Sequence, residues 1–169
     1  GAMYVTLRGQ VDAIILTGDI IWIGDSVGAL IENPGFISEY SGFQNLKILA
    51  QIQKKIDDKK IVDTMRMVGL DPNEKKSFRK YSLGMKQKLG IAAAMMEDPQ
   101  ILVLDEPFNA LDEASCENVK KMILSAKVPD RVVLLSCHDK NQINALCDET
   151  IELAQGKIIR RDSLYEKEK

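Results

Sequence analysis

The stretch that most constrains the fold runs from Gln100 to His138. Three patterns follow one another there: the apolar run "QILVLDEP", the helically spaced "EASCENVKKMILSA" and a second apolar run, "RVVLLSCH". Short unbroken runs of Ile, Leu and Val read as strands buried on both faces. A helix of this length between two of them is a crossover, so the sequence predicts an α/β fold with a parallel sheet. In such sheets ligands bind beyond the carboxyl ends of the strands. Asp105, Glu106 and His138 stand at those ends.

Two adjacent carboxylates closing an apolar strand suit phosphate chemistry. The first can hold a magnesium ion through water, and the second can orient or deprotonate an attacking water. His138 is the only histidine in the chain. At the end of the neighbouring strand its imidazole can donate to a terminal phosphate oxygen. The plain alternative is a pair of solvated acids and a solvated imidazole. The apolar lead-in, Pro107 and the matching position of His138 favour the site.

The preceding region is helix-patterned. Ser82 is placed to cap a helix whose apolar stripe is Met85, Leu89, Ala92 and Met96, and which Pro99 stops. The start of that helix, with Ser82 and Gly84, offers unpaired N–H groups and the positive end of the dipole to an anion; a simple helix cap is the equal alternative. Leu46, Leu49, Ile52 and Ile56 predict one apolar stripe, and Ile61, Met65 and Val68 predict another that ends at Gly69. The charged run "QIQKKIDDKK" reads as a solvated helix face. "LDPNEKK" is turn chemistry opening a short helical piece. Val11 to Ile31 reads as short strands with turns, and "TIELAQGKIIRR" as a strand pair turning at Gly156. The opening "GAM" reads as a cloning remnant outside the fold.

Composition mainly excludes. The 169 residues are 45% apolar and 28% charged, as in an ordinary single globular domain. A net charge of -2 gives no global case for a nucleic-acid or membrane-surface partner. Three cysteines lack metal-ligand spacing and read as thiols of a reducing compartment. No apolar run approaches the ~20 residues that span a bilayer.

From Tyr81 to Asp112, "YSLGMKQKLGIAAAMMEDPQILVLDEPFNALD" resembles the signature-to-D-loop block of ABC ATPases, the nucleotide-binding subunits of ABC transporters. "LLSCHD" follows at the later place this family uses. The resemblance gives Asp105 the metal-holding Walker B role, Glu106 that of catalytic base and His138 that of the switch histidine. "NALD", Asn109 to Asp112, looks like the D-loop, with Asp112 near the nucleotide. Ser82 and Gly84 match the signature residues that touch phosphate, while Leu83 and Met85 depart from the usual LSGGQ. Upstream, "SVGALIENPGF" resembles the bacitracin-export and lantibiotic-immunity branch. There a glutamate replaces the Q-loop glutamine, and Glu32 holds that position as a metal and nucleotide contact. The resemblance is strong from about Ser26 to Arg160.

The resemblance implies a P-loop NTPase-like domain with an inserted α-helical subdomain at 33–85, between core segments 4–32 and 86–169. It implies ATP and magnesium, a transmembrane permease subunit, a second ATPase subunit in a head-to-tail dimer, and a cytoplasmic place on the inner face of the membrane. It implies no nucleic acid: chromosome-maintenance relatives place long heptad coiled coils where this chain has a short helical region.

One element of the family pattern has no match. No GxxxxGK[ST] occurs in the sequence. The nearest stretch, "GDIIWIGDS", spaces its glycines one residue too far and offers Asp25 where a lysine must meet phosphate. Gly156–Lys157 lacks the following hydroxyl. The expectation is a partial ABC ATPase domain without its phosphate loop and inactive by itself. A non-catalytic interaction module, binding a partner ATPase or the permease, is the alternative.

Overall fold

The computed structural model describes residues 3–6, 27–31, 35–155 and 157–163. A four-stranded sheet has the order β1-β4-β3-β2. Strands β2 (Val27–Leu30), β3 (Ile101–Asp105) and β4 (Val132–Ser136) are parallel, and β1 (Met3–Thr6) closes the other side of β4 antiparallel to it. Met3, left out of the fold by the sequence reading, is the first residue of β1. A separate hairpin pairs β5 (Glu149–Ala154) with β6 (Lys157–Ser163). The expected turn residue, Gly156, lies outside the described residues, as do most of Val11 to Ile31 and Glu32.

Among the described residues five helices accompany the strands: α1 (Gly42–Gln53), α2 (Asp58–Met67), α3 (Leu83–Met95), α4 (Glu113–Ala126) and α5 (Lys140–Leu146). The crossover from β3 to β4 is α4, whose inward face of Val119, Met122, Ile123 and Ala126 follows the helical period. In α3 the expected stripe is buried at Leu89, Ala92 and Met96, with Met85 packed at its edge. The helix ends at Met95, before Pro99. A fully buried Leu or Ile side chain such as Leu89 or Ile91 contributes about 2 kcal/mol by removal from water.

Three expectations change. Strand β3 is not equally buried on both faces: Leu102 and Leu104 are 1% exposed, while Ile101 and Val103 are half-buried. Among the described residues the second face carries a small cluster, Val103, Val132 and Leu134 packed with Ile151 of the β5 strand. In α1 the buried face is Gly42, Asn45, Leu46 and Ala50, leaving Leu49 37% and Ile52 74% exposed. The charged run that follows is not one helix face. Lys54 turns left-handed (φ 55°) and ends α1, and Asp57 accepts from the Lys60 amide to start α2. The acids that looked like surface decoration are a cap and a first-turn charge, with Asp58 held by Lys47 at 2.6 Å.

Helix α2 ends as its sequence says, with Gly69 at φ 74°. A 3-10 turn at Phe78–Lys80 then leads to α3. Phe78 packs edge-on against Phe36 with ring centres 5.1 Å apart, and the Tyr81 hydroxyl accepts the first amide of α1, from Gly42, at 3.1 Å. Burial pushes the Tyr81 phenol up from its ordinary range, against that hydrogen bond.

Candidate active site

The site forms where β3 and β4 end side by side. The parallel register sets Asp105 opposite Ser136. The Ser136 hydroxyl donates to Asp105 Oδ1 and accepts the Glu106 amide at 2.9 Å. That amide also reaches the Ser136 carbonyl, at 3.2 Å. One serine thus ties the two carboxylate residues to the neighbouring strand.

Glu106 has a left-handed backbone, φ 44°. For a residue with a Cβ this costs on the order of 1 kcal/mol or more, and it persists only when its surroundings hold it. They do: its carbonyl accepts from Gln87 Nε2 at 3.0 Å and from the Asn109 amide at 3.2 Å. Its carboxylate meets His138, with Oε1 2.9 Å from Nε2. That ring nitrogen carries a proton in this contact, since a carboxylate only accepts. The Glu106 side chain is 22% exposed and that of His138 75%, so one wall of the pair is open to solvent.

The chain after Glu106 turns again at Ala110, φ 60°, and Asp112 caps α4 by accepting the Ser115 amide at 2.8 Å. Hydrogen bonds from Ser115 hold the Asp112 carboxyl below its usual range, with a smaller pull from Lys88. Gly84 of α3 lies against this turn. A Cβ on Gly84 would stand 2.7 Å from the Ala110 carbonyl oxygen, so only glycine permits that approach.

The sequence-predicted residues therefore divide. Asp105, Glu106 and His138 converge on one spot. Asp112 sits at the head of α4 just beyond it. Gly84 touches the connecting turn, while Ser82 spends its hydroxyl on capping α3, accepting from the Met85 amide at 3.2 Å. Sequence reasoning missed Ser136 and Gln87. Ser136 had a signal: "ILVLD" and "VVLLS" are runs of equal length, and the polar residue ending one faces the polar residue ending the other. Gln87 had only its position one helical turn beyond Gly84.

Among the described residues no group of three or more His, Cys, Asp or Glu side chains forms a metal cage. Magnesium fits such a place, because it is bound through one or two carboxylates together with substrate phosphates. Asp105 is exposed at the strand end. Away from this spot, an apolar groove of about 320 Å3 opens between β2, α1 and α3, edged by the exposed Leu49 and Ile52. Glu97 lines it with a carboxylate oxygen that is buried without a hydrogen-bond partner. Burial pushes the Glu97 carboxyl up, against the pull of Lys55.

The model of the ABC transporter family matches residues 5–109, reaching well upstream of Ser26. The ABC transporter ATP-binding protein YybJ of Bacillus subtilis is 41% identical over 133 residues, which is 79% of this chain and 61% of that protein. The bacitracin transport ATP-binding protein BcrA of Enterococcus faecalis is 34% identical over 141 residues, 83% of this chain and 46% of that protein. The chain thus spans about half to three-fifths of the length of these relatives. A dimeric bacterial ABC transporter cassette shares the fold with a TM-score of 0.74 at 20% identity, over 83% of this chain and 63% of that one. With the strand-end carboxylates, the histidine and the capped helix all in the order the sequence suggested, the chain belongs to the ABC transporter family, as part of an ATP-binding domain.

Proposed function

We propose that this chain is part of the ATP-hydrolysing subunit of an ABC transporter that exports, or confers immunity to, a peptide antibiotic. The observation that carries the catalytic reading is Glu106, held in a left-handed turn with its carboxylate on the only histidine. The cargo class rests on relatives named for bacitracin and lantibiotic transport.

In this reading Glu106 takes a proton from water as the water oxygen bonds to the γ-phosphorus. The bond from that phosphorus to the bridging oxygen breaks, and ADP and phosphate leave. His138 steadies the carboxylate beforehand and then donates to a γ-phosphate oxygen. Ser136 fixes both carboxylate residues relative to β4. Asp105 and Glu32 would hold magnesium, and when bound the ion would supply charge neutralisation. Ser82 and Gly84 face the nucleotide of a second ATPase subunit in a head-to-tail dimer, with Asp112 beside it. What supports that role is their place at the start of α3, where the helix dipole favours an anion.

In this reading a permease partner sits on the groove edged by Leu49 and Ile52 and holds the subunit on the cytoplasmic face of the membrane; the exposure of those two apolar side chains supports it. No described helix is long and apolar enough to cross a bilayer. A second reading, a non-catalytic module that engages a partner ATPase, is favoured by one fact: the chain has no GxxxxGK[ST].

Calorimetric titration of Mg-ATP into this chain, and into a form extended with a phosphate loop, tests the reading. Binding only by the extended form is the expected result. Micromolar binding by this chain would show phosphate cradled by residues not assigned here. In the extended form Glu106→Gln should nearly abolish turnover and spare binding; unchanged turnover would remove Glu106 from the base role.

A further inference from the structure

The turn that presents Glu106 is gripped from two sides. Strand β4 holds its amide, through the Ser136 carbonyl and hydroxyl. Helix α3 holds its carbonyl, through Gln87 Nε2 at 3.0 Å. The orientation of that amide is not ambiguous, because only its N–H end can bond to a carbonyl. We infer that Gln87 is a positioning residue for Glu106: by fixing the carbonyl of a strained peptide, it sets where the carboxylate meets His138. This rests on the catalytic reading of Glu106 above.

A left-handed residue with a Cβ relaxes toward ordinary φ values unless its peptide groups are tied. Rotation about Glu106 would swing its carbonyl and its side chain together. With the amide anchored on β4, Gln87 and the Asn109 amide are the described groups that hold the carbonyl end. Asn109 belongs to the same turn and moves with it, whereas Gln87 projects from a separate element buried at Leu89, Ile91 and Ala92. The same helix approaches the turn a second time, where Gly84 faces the Ala110 carbonyl. The start of α3, capped by Ser82, and the Glu106 carboxylate are thus joined through one side chain. A displacement of the helix start is transmitted to the carboxylate within the same chain.

Because His138 is the only histidine, its ring signals in a 13C-labelled chain report on the pair without ambiguity. Glu106→Gln calibrates the shift produced by losing the carboxylate. Gln87→Ala, and Gln87→Glu of nearly the same size without the donor, should move the His138 signals in the same direction by a smaller amount. Lys86→Ala, which alters the neighbouring position over the Phe78 ring, should leave them in place. In the form extended with a phosphate loop, both Gln87 variants should lower kcat by on the order of tenfold to a hundredfold with KM unchanged. His138 signals that match the unaltered chain in both Gln87 variants, while Glu106→Gln moves them, would overturn the positioning role alone. If Glu106→Gln leaves them unmoved too, the Glu106–His138 pair itself fails, and the catalytic reading with it.

Discussion

Gly28→Ala is predicted to cost far more stability than a small side chain suggests. Gly28 lies in β2, and a Cβ there would stand 1.8 Å from the Ala94 carbonyl oxygen and 2.8 Å from both the Ala94 carbonyl carbon and Pro99 Cγ. An ordinary carbon–oxygen contact is more than an ångström longer, and the oxygen belongs to helix backbone, so no rotamer change relieves it. Strand β2 and the end of α3 must separate by roughly 1 Å in an interior packed like a crystal. That opens space around Leu30, which is 1% exposed. Overpacking costs about 1–3 kcal/mol, and a backbone obstruction belongs at the top of that range. Replacing glycine in a strand returns only about 0.5–1 kcal/mol. The net loss is about 2 kcal/mol, a drop of roughly 1 M in urea midpoint for an m of about 2 kcal/mol/M. Gly35→Ala is the internal control: nothing lies within 4 Å of its Cβ position. It should be neutral or slightly stabilising. Equal midpoints for the two variants would refute the close approach of β2 to α3.

Other outcomes follow from single contacts. The Lys127 ammonium meets Asp148 at 2.6 Å and the Leu146 carbonyl at 2.9 Å, with both side chains only 12% exposed. Lys127→Met should therefore lower stability by about 3 kcal/mol in urea unfolding, and a loss under 1 kcal/mol would contradict that burial. The Asp112 carboxyl is held below its ordinary value by Ser115. Its contribution is present above the unfolded value and lost as pH falls through the folded one, so Asp112→Asn should flatten the acid end of a stability–pH curve. Glu97 has the opposite sign. Burial raises its carboxyl, so its contribution is present below the unfolded value and lost as pH rises through the folded one. Glu97→Gln should accordingly raise the melting temperature at neutral pH, and an unchanged or lower one would contradict the buried oxygen.

The α/β core was legible because its signals are dense and local. From Gln100 to His138 each run has one periodicity, so β3, α4 and β4 fall where the pattern puts them, and the carboxylates and histidine arrive at the strand ends automatically. The region between Ser41 and Lys60 was less legible for a physical reason. Leu49 and Ile52 share a helical period with Leu46, but α1 ends at Lys54 and its neighbours cover only the face containing Leu46 and Ala50. Periodicity names a stripe; packing decides how much of it is covered. Asp57 looked like a break in a charged run because a cap is defined by its φ and ψ, which the letters do not display. Gln87 stayed hidden because its partner is the backbone carbonyl of Glu106, 19 residues away. A contact to the main chain leaves no mark on the partner's residue type.

The antiparallel strand beside β4 has a consequence for the order of folding. Met3 lies opposite Ser136 and Thr6 opposite Val133. At about 5–20 residues per second, the ribosome makes β1 on the order of ten seconds before the strand it pairs with. Among the described strands of this sheet β1 pairs with β4 alone, which is made last, while β2 and β3 can already associate once β3 is made. On refolding from denaturant, this pairing closes a longer loop than that of β2 with β3 and carries the larger entropic cost. The β4 edge beside β1 thus closes the longest loop in the sheet, and its β3 edge the shortest.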